Sequence, residues 1–205
     1  MDQARLSALL KRFPCKELEN GNIRTCPARL SFPALFEKRG IEGSEPKYSA
    51  VLLFPKGADL TVLHEAAKHT AIEAFGAKAG SMGLHMPFRD QGIKALAGYE
   101  AGAYFITAST KQRPGVVGAD LSPITDPEDA PAGYWVIATV RPFSYDAKMK
   151  KGVSYGLQNI QVIAADEPFA GGSRPTDDFE PLDASMTGED AFAAAGQGGG
   201  AFGFE

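Results

Sequence analysis

The chain has 205 residues, of which 44% are hydrophobic and 22% are charged, a composition that excludes wholesale disorder. Glycine (23 residues) and proline (14 residues) are frequent, which favours short strands and many turns over a helical bundle. No apolar run approaches the roughly 18 residues that cross a bilayer, and the N-terminal residues lack the pattern of a secretory signal. We therefore expect a cytoplasmic protein that has no membrane partner.

The net charge of −4 is unevenly divided along the chain. Residues 166–205 carry nine acidic residues against one basic residue, which leaves residues 1–165 mildly basic. The acidic end is also rich in glycine and cannot bury enough apolar area to offset the entropy of ordering, so we predict a flexible tail over 170–205. Its isolated aromatic residues favour a tail that binds partner proteins over one that only increases solubility. They are Phe192, Phe202 and Phe204.

Five short strands and one long helix are predicted from the spacing of the apolar residues. Pro27 places the first strand at an edge or a bulge, because proline cannot donate to a ladder. The helix follows the second strand, an order that fits an all-β domain built as an OB-fold-like five-stranded barrel. We expect this domain over 23–169, after an N-terminal extension at 1–22. In chain order the elements are strands at 23–32 and 48–54, a helix from Asp59 to about Ala79, and strands at 103–110, 134–143 and 153–163.

The alternation of side chains along two of these strands predicts an outer face that is rich in aromatic residues. Arg141 must face solvent, because an unpaired arginine inside a small barrel would be costly. Alternation then places Trp135 and Phe143 on the same outer face. The third strand likewise places Phe105 on the side of Lys111. Two tyrosines of the opposite parity are assigned to the core, Tyr104 and Tyr134.

A hairpin loop over 146–152, which carries three lysines, is predicted beside this face. Aromatic rings interleaved with basic residues suit unpaired nucleotides, because bases stack on the rings and cations contact the phosphates. A duplex hides its base faces, and no basic recognition helix is present. The pattern therefore predicts an interface for single-stranded nucleic acid. The candidate stacking residues are Phe105, Trp135, Phe143, Tyr145 and Tyr155, and the candidate phosphate contacts are Arg29, Lys47, Lys111, Arg113, Arg141, Lys148, Lys150 and Lys151.

Catalytic and metal-binding motifs do not assemble, so we expect neither an enzyme nor a cofactor. The sequence has no nucleophile elbow, P-loop, paired-histidine motif or dinucleotide glycine pattern. Cys15 and Cys26 are too few soft ligands for a structural zinc ion and are interpreted as small apolar residues. Two alternatives stay open: a hydrolase or nuclease that uses the acidic residues at 126–129, and a protein-interaction or virion structural module. In the second, Trp135 would be buried and would not respond to oligonucleotides.

Six segments stand in a specific order along the chain: 29–33 (RLSFP), 47–49 (KYS), 54–56 (FPK), 133–140 (GYWVIATV), 143–146 (FSYD) and 151–161 (KGVSYGLQNIQ). In this order they resemble a family of bacteriophage single-stranded DNA-binding proteins with an OB-fold, over about residues 23–170. The resemblance implies a protein that coats exposed single strands during phage DNA replication or recombination, without sequence preference and without a cofactor. It also implies an acidic tail that recruits phage or host proteins and competes with DNA for the basic groove. Self-association of the protein stays open.

Overall fold

The computed structural model describes residues 1–40, 43, 45–147 and 150–169, and Met1–Ala170 form one compact unit. Three short 3₁₀ turns, at Ala79–Ser81, Gln91–Ile93 and Pro127–Asp129, join the longer elements. None of the helices in this part of the chain combines the length and the apolar character that crossing a membrane requires. The helices and strands are α1 (Gln3–Arg12), β1 (Lys16–Glu17), β2 (Ile23–Arg24), β3 (Ala28–Arg39), β4 (Lys47–Leu53), α2 (Thr61–Phe75), β5 (Arg89–Asp90), β6 (Tyr104–Thr110), β7 (Gly115–Val117), β8 (Trp135–Ala147) and β9 (Lys150–Ala164).

The strands form one sheet that closes in part into a ring. The order of pairing is β1-β2-β8-β3-β4-β6-β9-β7, and β8 also pairs with β9, so that β3, β4, β6, β9 and β8 follow one another around the ring. Strands β6 and β9 run parallel, as do β7 and β9, whereas the other pairs are antiparallel. The short strand β5 pairs with β6 at its first residues. This ring of strands has an inner face and an outer face.

The predicted elements occur in the predicted order, with different ends. The first predicted strand is divided into β2 and β3, because the chain leaves the ladder around Pro27. The break is held in place by Thr25, which exchanges hydrogen bonds with the backbone of Ala138. The helix ends at Phe75 rather than near Ala79, since Gly76 has a φ of +76°, which stops it. Helix α1 was not predicted, and β8 and β9 are longer than expected.

The main core lies between the inner face of the ring and helix α2. Leu63, Ala67 and Ala71 bury one side of α2, which packs against β8 and β9. Tyr155 of β9 is fully buried here and donates a hydrogen bond of 2.6 Å from its hydroxyl to the carbonyl oxygen of Leu63. The predicted exposure of Tyr155 is therefore wrong, because the bulged pairing of β9 with β8 turns this ring inward.

Two other tyrosines were assigned to the core. Tyr134 is half-buried and packs against the core. Tyr104 is 45% exposed, against the prediction, because it is the first residue of β6 and lies at the rim of the closed sheet. Its ring contacts the edge of His64, which in turn stacks on Phe88 with the ring centroids 3.7 Å apart.

Candidate nucleic-acid interface

A row of four side chains crosses the outer face of the ring. Trp135 of β8 pairs with Arg29 of β3, Arg29 pairs with Leu53 of β4, and Leu53 pairs with Phe105 of β6. Leu53 and Phe105 form, with Val51, a small cluster that is separate from the main core. We call Trp135, Arg29, Leu53 and Phe105 the outer row. Trp135 and Phe105 thus lie on the face that alternation along the strands predicted.

The predicted exposure of the Trp135 and Phe105 side chains is wrong, because another part of the chain covers the outer row. Trp135 is 5% exposed and Phe105 is 1% exposed. The cover is formed by residues 165–169, here called the covering segment, which follow β9 directly, together with Tyr99. The Phe169 ring packs against the Phe105 cluster, and the indole Nε1 of Trp135 donates a hydrogen bond of 2.6 Å to Oδ2 of Asp166.

Arg29 is the cation at the centre of the outer row, and its donors are used by the backbone around it. Its Nε donates to the carbonyl oxygen of Gly133 at 2.8 Å, and its Nη2 donates to that of Glu167 at 2.6 Å. The guanidinium carbon lies 4.3 Å from the centre of the Phe169 ring and 5.9 Å from that of Trp135. Burial lowers the pKa of Arg29, although the nearby acidic residues oppose this effect. A guanidinium between two rings can bind a phosphate and stack on a base.

Asp166 supplies the negative charge that faces this cation. Burial disfavours its charged form, but hydrogen bonds from the Met1 amine, the Trp135 indole and the amide of Glu167, together with the charge of Arg29, lower the pKa of Asp166 to about 2. The carboxylate is therefore ionised at neutral pH, so that a negative charge faces the indole donor of Trp135 and the guanidinium of Arg29.

Three residues that the sequence analysis did not identify, Phe32, Lys94 and Tyr99, continue the outer face beyond Arg29. Phe32 is 56% exposed and sits in β3 with a φ of +43°, at a point where the register with β4 shifts. The Nζ of Lys94 lies between 5.1 and 5.6 Å from the centres of the Phe32, Tyr99 and Phe105 rings. Pro33, directly after the end of the predicted strand at Phe32, was the one signal that could have indicated an irregular strand here.

The cationic residues at the other end of β4 and β6 are separated from the outer row. Lys47 begins β4, and Lys111, which follows β6, forms an ion pair of 2.8 Å with Glu45. The guanidinium of Arg113 lies 5.6 Å from the centre of the Phe36 ring. These three cations therefore line the opposite end of the sheet from Arg29.

The ends of β8 and β9 form a long hairpin that carries the remaining candidates. Arg141 is exposed and donates a hydrogen bond to the carbonyl oxygen of Asn20, and Phe143 is 42% exposed. Tyr145 is half-buried, whereas the two described lysines, Lys150 and Lys151, are exposed. Lys151 pairs with Asp146 at 2.8 Å. Lys148 and the tail residues Phe192, Phe202 and Phe204 lie outside the described residues.

Asp126, one of the acidic residues at 126–129, has a local role. Oδ1 of Asp126 accepts a hydrogen bond from the amide of Glu128 and so caps the 3₁₀ turn Pro127–Asp129. Cys15 and Cys26 are buried, and the amide of Cys26 donates to the sulfur of Cys15 at 3.1 Å. Across the described ranges, no three acidic, histidine or cysteine side chains are placed to share a metal ion.

Comparison with known proteins gives a family match and a related phage protein. Residues 21–192 match the family model described as the single-stranded DNA-binding protein of Enterobacter phage Enc34. Protein p50 of Acyrthosiphon pisum secondary endosymbiont phage 1 is 33% identical over 188 residues, which are 84% of this chain and 99% of that protein.

Solved structures of the bacteriophage Enc34 protein are also similar to this fold. Its complex with single-stranded DNA matches with a TM-score of 0.66 and 25% identity over 77% of this chain and 94% of that chain. A second solved structure of the Enc34 protein matches with a TM-score of 0.63 and 24% identity, over 81% of this chain and 93% of that chain. The family is one of DNA-binding proteins and not of enzymes. Because the family model matches most of its length, the chain belongs to the bacteriophage Enc34 family of single-stranded DNA-binding proteins.

Proposed function

We propose that this protein coats single-stranded DNA without sequence preference, during phage DNA replication or recombination inside the host cell. The DNA-binding domain is an OB-fold-like barrel over 23–169, preceded by the extension 1–22. The observation that carries the proposal is the outer row, in which Arg29 lies beside Trp135 on one side and, beyond Leu53, Phe105 on the other. Stacked rings and one cation are what a base and its phosphate need, and neither reads sequence.

The contacts of the covering segment support a tail that competes with DNA. Asp166 occupies the indole donor, the Glu167 carbonyl occupies Arg29, and the Phe169 ring stacks on the same guanidinium. The oxygen atoms of a phosphate can replace the Asp166 carboxylate and the Glu167 carbonyl, and a base can replace the Phe169 ring. An acidic tail that continues from this segment would then hold the outer row closed until a strand displaces it. The same tail, over 170–205 with Phe192, Phe202 and Phe204, is proposed to recruit replication or recombination proteins.

The β8–β9 hairpin offers the strand a second, open contact region. Phe143 is half-exposed for stacking, and Arg141, Lys150 and Lys151 stand on the same hairpin as phosphate contacts. Lys47, Lys111 and Arg113 would extend the contact to the far end of the sheet. We propose that a bound strand runs between the outer row and the hairpin, because both carry rings together with cations.

The test is a titration with oligo-dT at low and high salt, followed by the emission of Trp135, the one tryptophan of the chain. We expect the emission to change on binding, because DNA displaces Asp166 from the indole. We expect log K to fall with log salt with a slope of about −0.7 per phosphate neutralised. A Trp135→Phe variant, followed by electrophoretic mobility, controls for effects of the probe. An oligonucleotide that does not bind at low salt would overturn the proposal, and cleavage that requires magnesium would favour the nuclease alternative.

Deletion of residues 171–205 tests the competing tail. We expect tighter binding to oligo-dT at low salt, because the deletion removes seven of the nine acidic residues in 166–205. The gain should shrink as salt rises towards about 1 M, where the Debye length is about 3 Å. Equal or weaker binding by the shortened protein at low salt would contradict the competition.

A further inference from the structure

The outer face carries an exposed aromatic ring in an unusual backbone conformation. Between the pairs Ser31–Val51 and Ala34–Ser49, β3 has one residue more than β4, which makes a bulge. Phe32 stands in this bulge with a φ of +43° and is 56% exposed. Residues other than glycine rarely adopt a positive φ, and a large aromatic ring that is exposed to water gains nothing from packing. Neither the backbone nor the core therefore explains a phenylalanine at this position, and such outliers concentrate at functional sites.

Lys94 provides a cation directly beside this ring. Its Nζ lies 5.4 Å from the centre of the Phe32 ring, 5.6 Å from that of Tyr99 and 5.1 Å from that of Phe105. Within the described residues, the ion pairs use other cations, and no carboxylate pairs with Lys94. An ammonium held among rings without an acidic partner is ready to accept an anion.

The loop that carries Lys94 is fixed in place by a buried glutamine. Gln91 is 2% exposed, and its side-chain nitrogen donates to the carbonyl oxygens of Phe54 and Tyr104, each at 2.8 Å. Its side-chain oxygen accepts from the amide of Glu100 at 3.0 Å. The hydroxyl of Tyr99 shares a hydrogen bond of 3.2 Å with that of Ser31. The loop is therefore held at both ends against β3, β4 and β6, so the position of Lys94 is prepared before any ligand binds.

From these contacts we infer that Phe32 and Lys94 form a nucleotide subsite that stays open, in which a base stacks on Phe32 and its phosphate contacts Lys94. The subsite deepens the proposed function and rests on it. Phe32 lies three residues along β3 from Arg29, and Lys94 covers Phe105, a member of the outer row. A strand that binds this subsite is therefore already beside the row that the covering segment occupies.

The sharpest test is Phe32→Gly, because it separates a binding role from a structural one. Glycine adopts positive φ without strain, so the variant should keep its melting temperature or raise it. Loss of the stacking ring should raise the Kd for oligo-dT by roughly 5- to 150-fold. Leu121→Gly is the matched control, since Leu121 has a φ of +68° and is 68% exposed. It should relieve the same kind of strain and leave the Kd unchanged.

A second variant tests the cation independently of Phe32. Lys94→Gln should weaken binding and reduce the magnitude of the salt slope by about 0.7, the loss of one phosphate contact on a single strand. Lys68→Gln is the matched control, because Lys68 is exposed on α2 and, in the described part of the chain, its ion pair is with Glu65 of the same helix. It should leave the slope unchanged.

The outcomes distinguish this inference from the proposed function. If the native protein binds no oligonucleotide, the proposed function fails and the subsite fails with it. If the native protein binds, but Phe32→Gly and Lys94→Gln keep the native Kd and salt slope, the subsite alone is wrong. If Phe32→Gly lowers the melting temperature and also raises the Kd, Phe32 has a structural role. The salt slope of Lys94→Gln then decides whether a phosphate is bound here.

Discussion

The outer face has a covered region and an open region that share the same chemistry. Around Arg29, two rings and a cation are closed over by the covering segment, which supplies a carboxylate and a third ring. Around Lys94, rings and a cation stand without an acidic partner among the described residues, and Phe32 is exposed. The difference teaches that the burial of a ring on a sheet face does not exclude it from a binding surface. It shows instead which groups a ligand must displace.

The two regions are expected to contribute to DNA binding in different ways. If both regions bind DNA as proposed, the open region can meet a strand without any rearrangement, whereas the covered region can bind only after residues 165–169 leave. The apparent affinity of the covered region is reduced by the fraction of molecules in which it is open. Variants that loosen the covering segment should therefore strengthen DNA binding, and variants that remove open rings should weaken it.

Phe169→Ala should have the largest effect, and its sign is the reverse of that for a stacking residue. Phe169 is half-buried, packs against the Phe105 cluster and stacks on Arg29, so truncation removes at most about 3 kcal/mol of apolar burial from the closed arrangement. If the covering segment competes with DNA, the Kd for oligo-dT should fall, by up to roughly 100-fold. The emission of the free protein should also move towards that of the DNA-bound protein.

The control for Phe169→Ala is Ile72→Ala, which truncates an apolar side chain that is 49% exposed on α2. It should change neither the Kd nor the emission of Trp135. Weaker binding by Phe169→Ala would mean that Phe169 is part of the DNA-binding surface and not a competitor for it.

Phe143→Ala should have a smaller effect of the opposite sign. Phe143 lies on the β8–β9 hairpin and is 42% exposed, so its ring needs no rearrangement to stack on a base. Its loss should cost about 1 kcal/mol of binding, roughly a fivefold increase in Kd, and almost nothing in the free energy of unfolding. Fluorescence anisotropy of a labelled oligonucleotide and thermal unfolding measure the two quantities. Tighter binding by this variant would contradict the proposal that the hairpin is an open contact region for DNA.

The sequence predicted which side chains share a face but not which of them are exposed. Alternation along a strand is a local property, so the common face of Trp135 and Phe105 could be derived from a few neighbouring residues. Their burial depends on Phe169 and Tyr99, which approach from distant parts of the sequence. Periodicity contains no information on such contacts.

The same distinction explains the other errors. Tyr155 was expected to face solvent because the register shifts along β9 could not be read from its pattern. Phe32 was missed because the bulge in β3 changes its direction relative to its neighbours. The order of the strands and the position of the helix were predictable, since they follow from apolar periodicity and from Pro and Gly punctuation.

The smallest effect concerns pH and tests what holds the covering segment in place. The pKa of Asp166 is lowered to about 2 in the folded protein, against about 3.9 when unfolded. Its contacts therefore stabilise the fold fully above pH 4 or so, and this contribution, about 2 kcal/mol at most, is lost as the pH falls through about 2. Other carboxylates titrate in the same range, so the informative quantity is the difference between the native protein and Asp166→Asn.

In the native protein we expect the Trp135 emission to shift as the pH falls from about 3 to about 1, because protonation of Asp166, whose pKa is about 2, weakens its contacts with the indole and with Arg29. In Asp166→Asn this shift should be absent, and the free energy of unfolding at pH 7 should be lower than that of the native protein. At neutral pH the same variant should bind oligo-dT slightly more tightly, since the competing charge is gone. If the two proteins show the same emission profile in acid, the carboxylate does not hold the indole, and the covering segment is then retained by Phe169 alone.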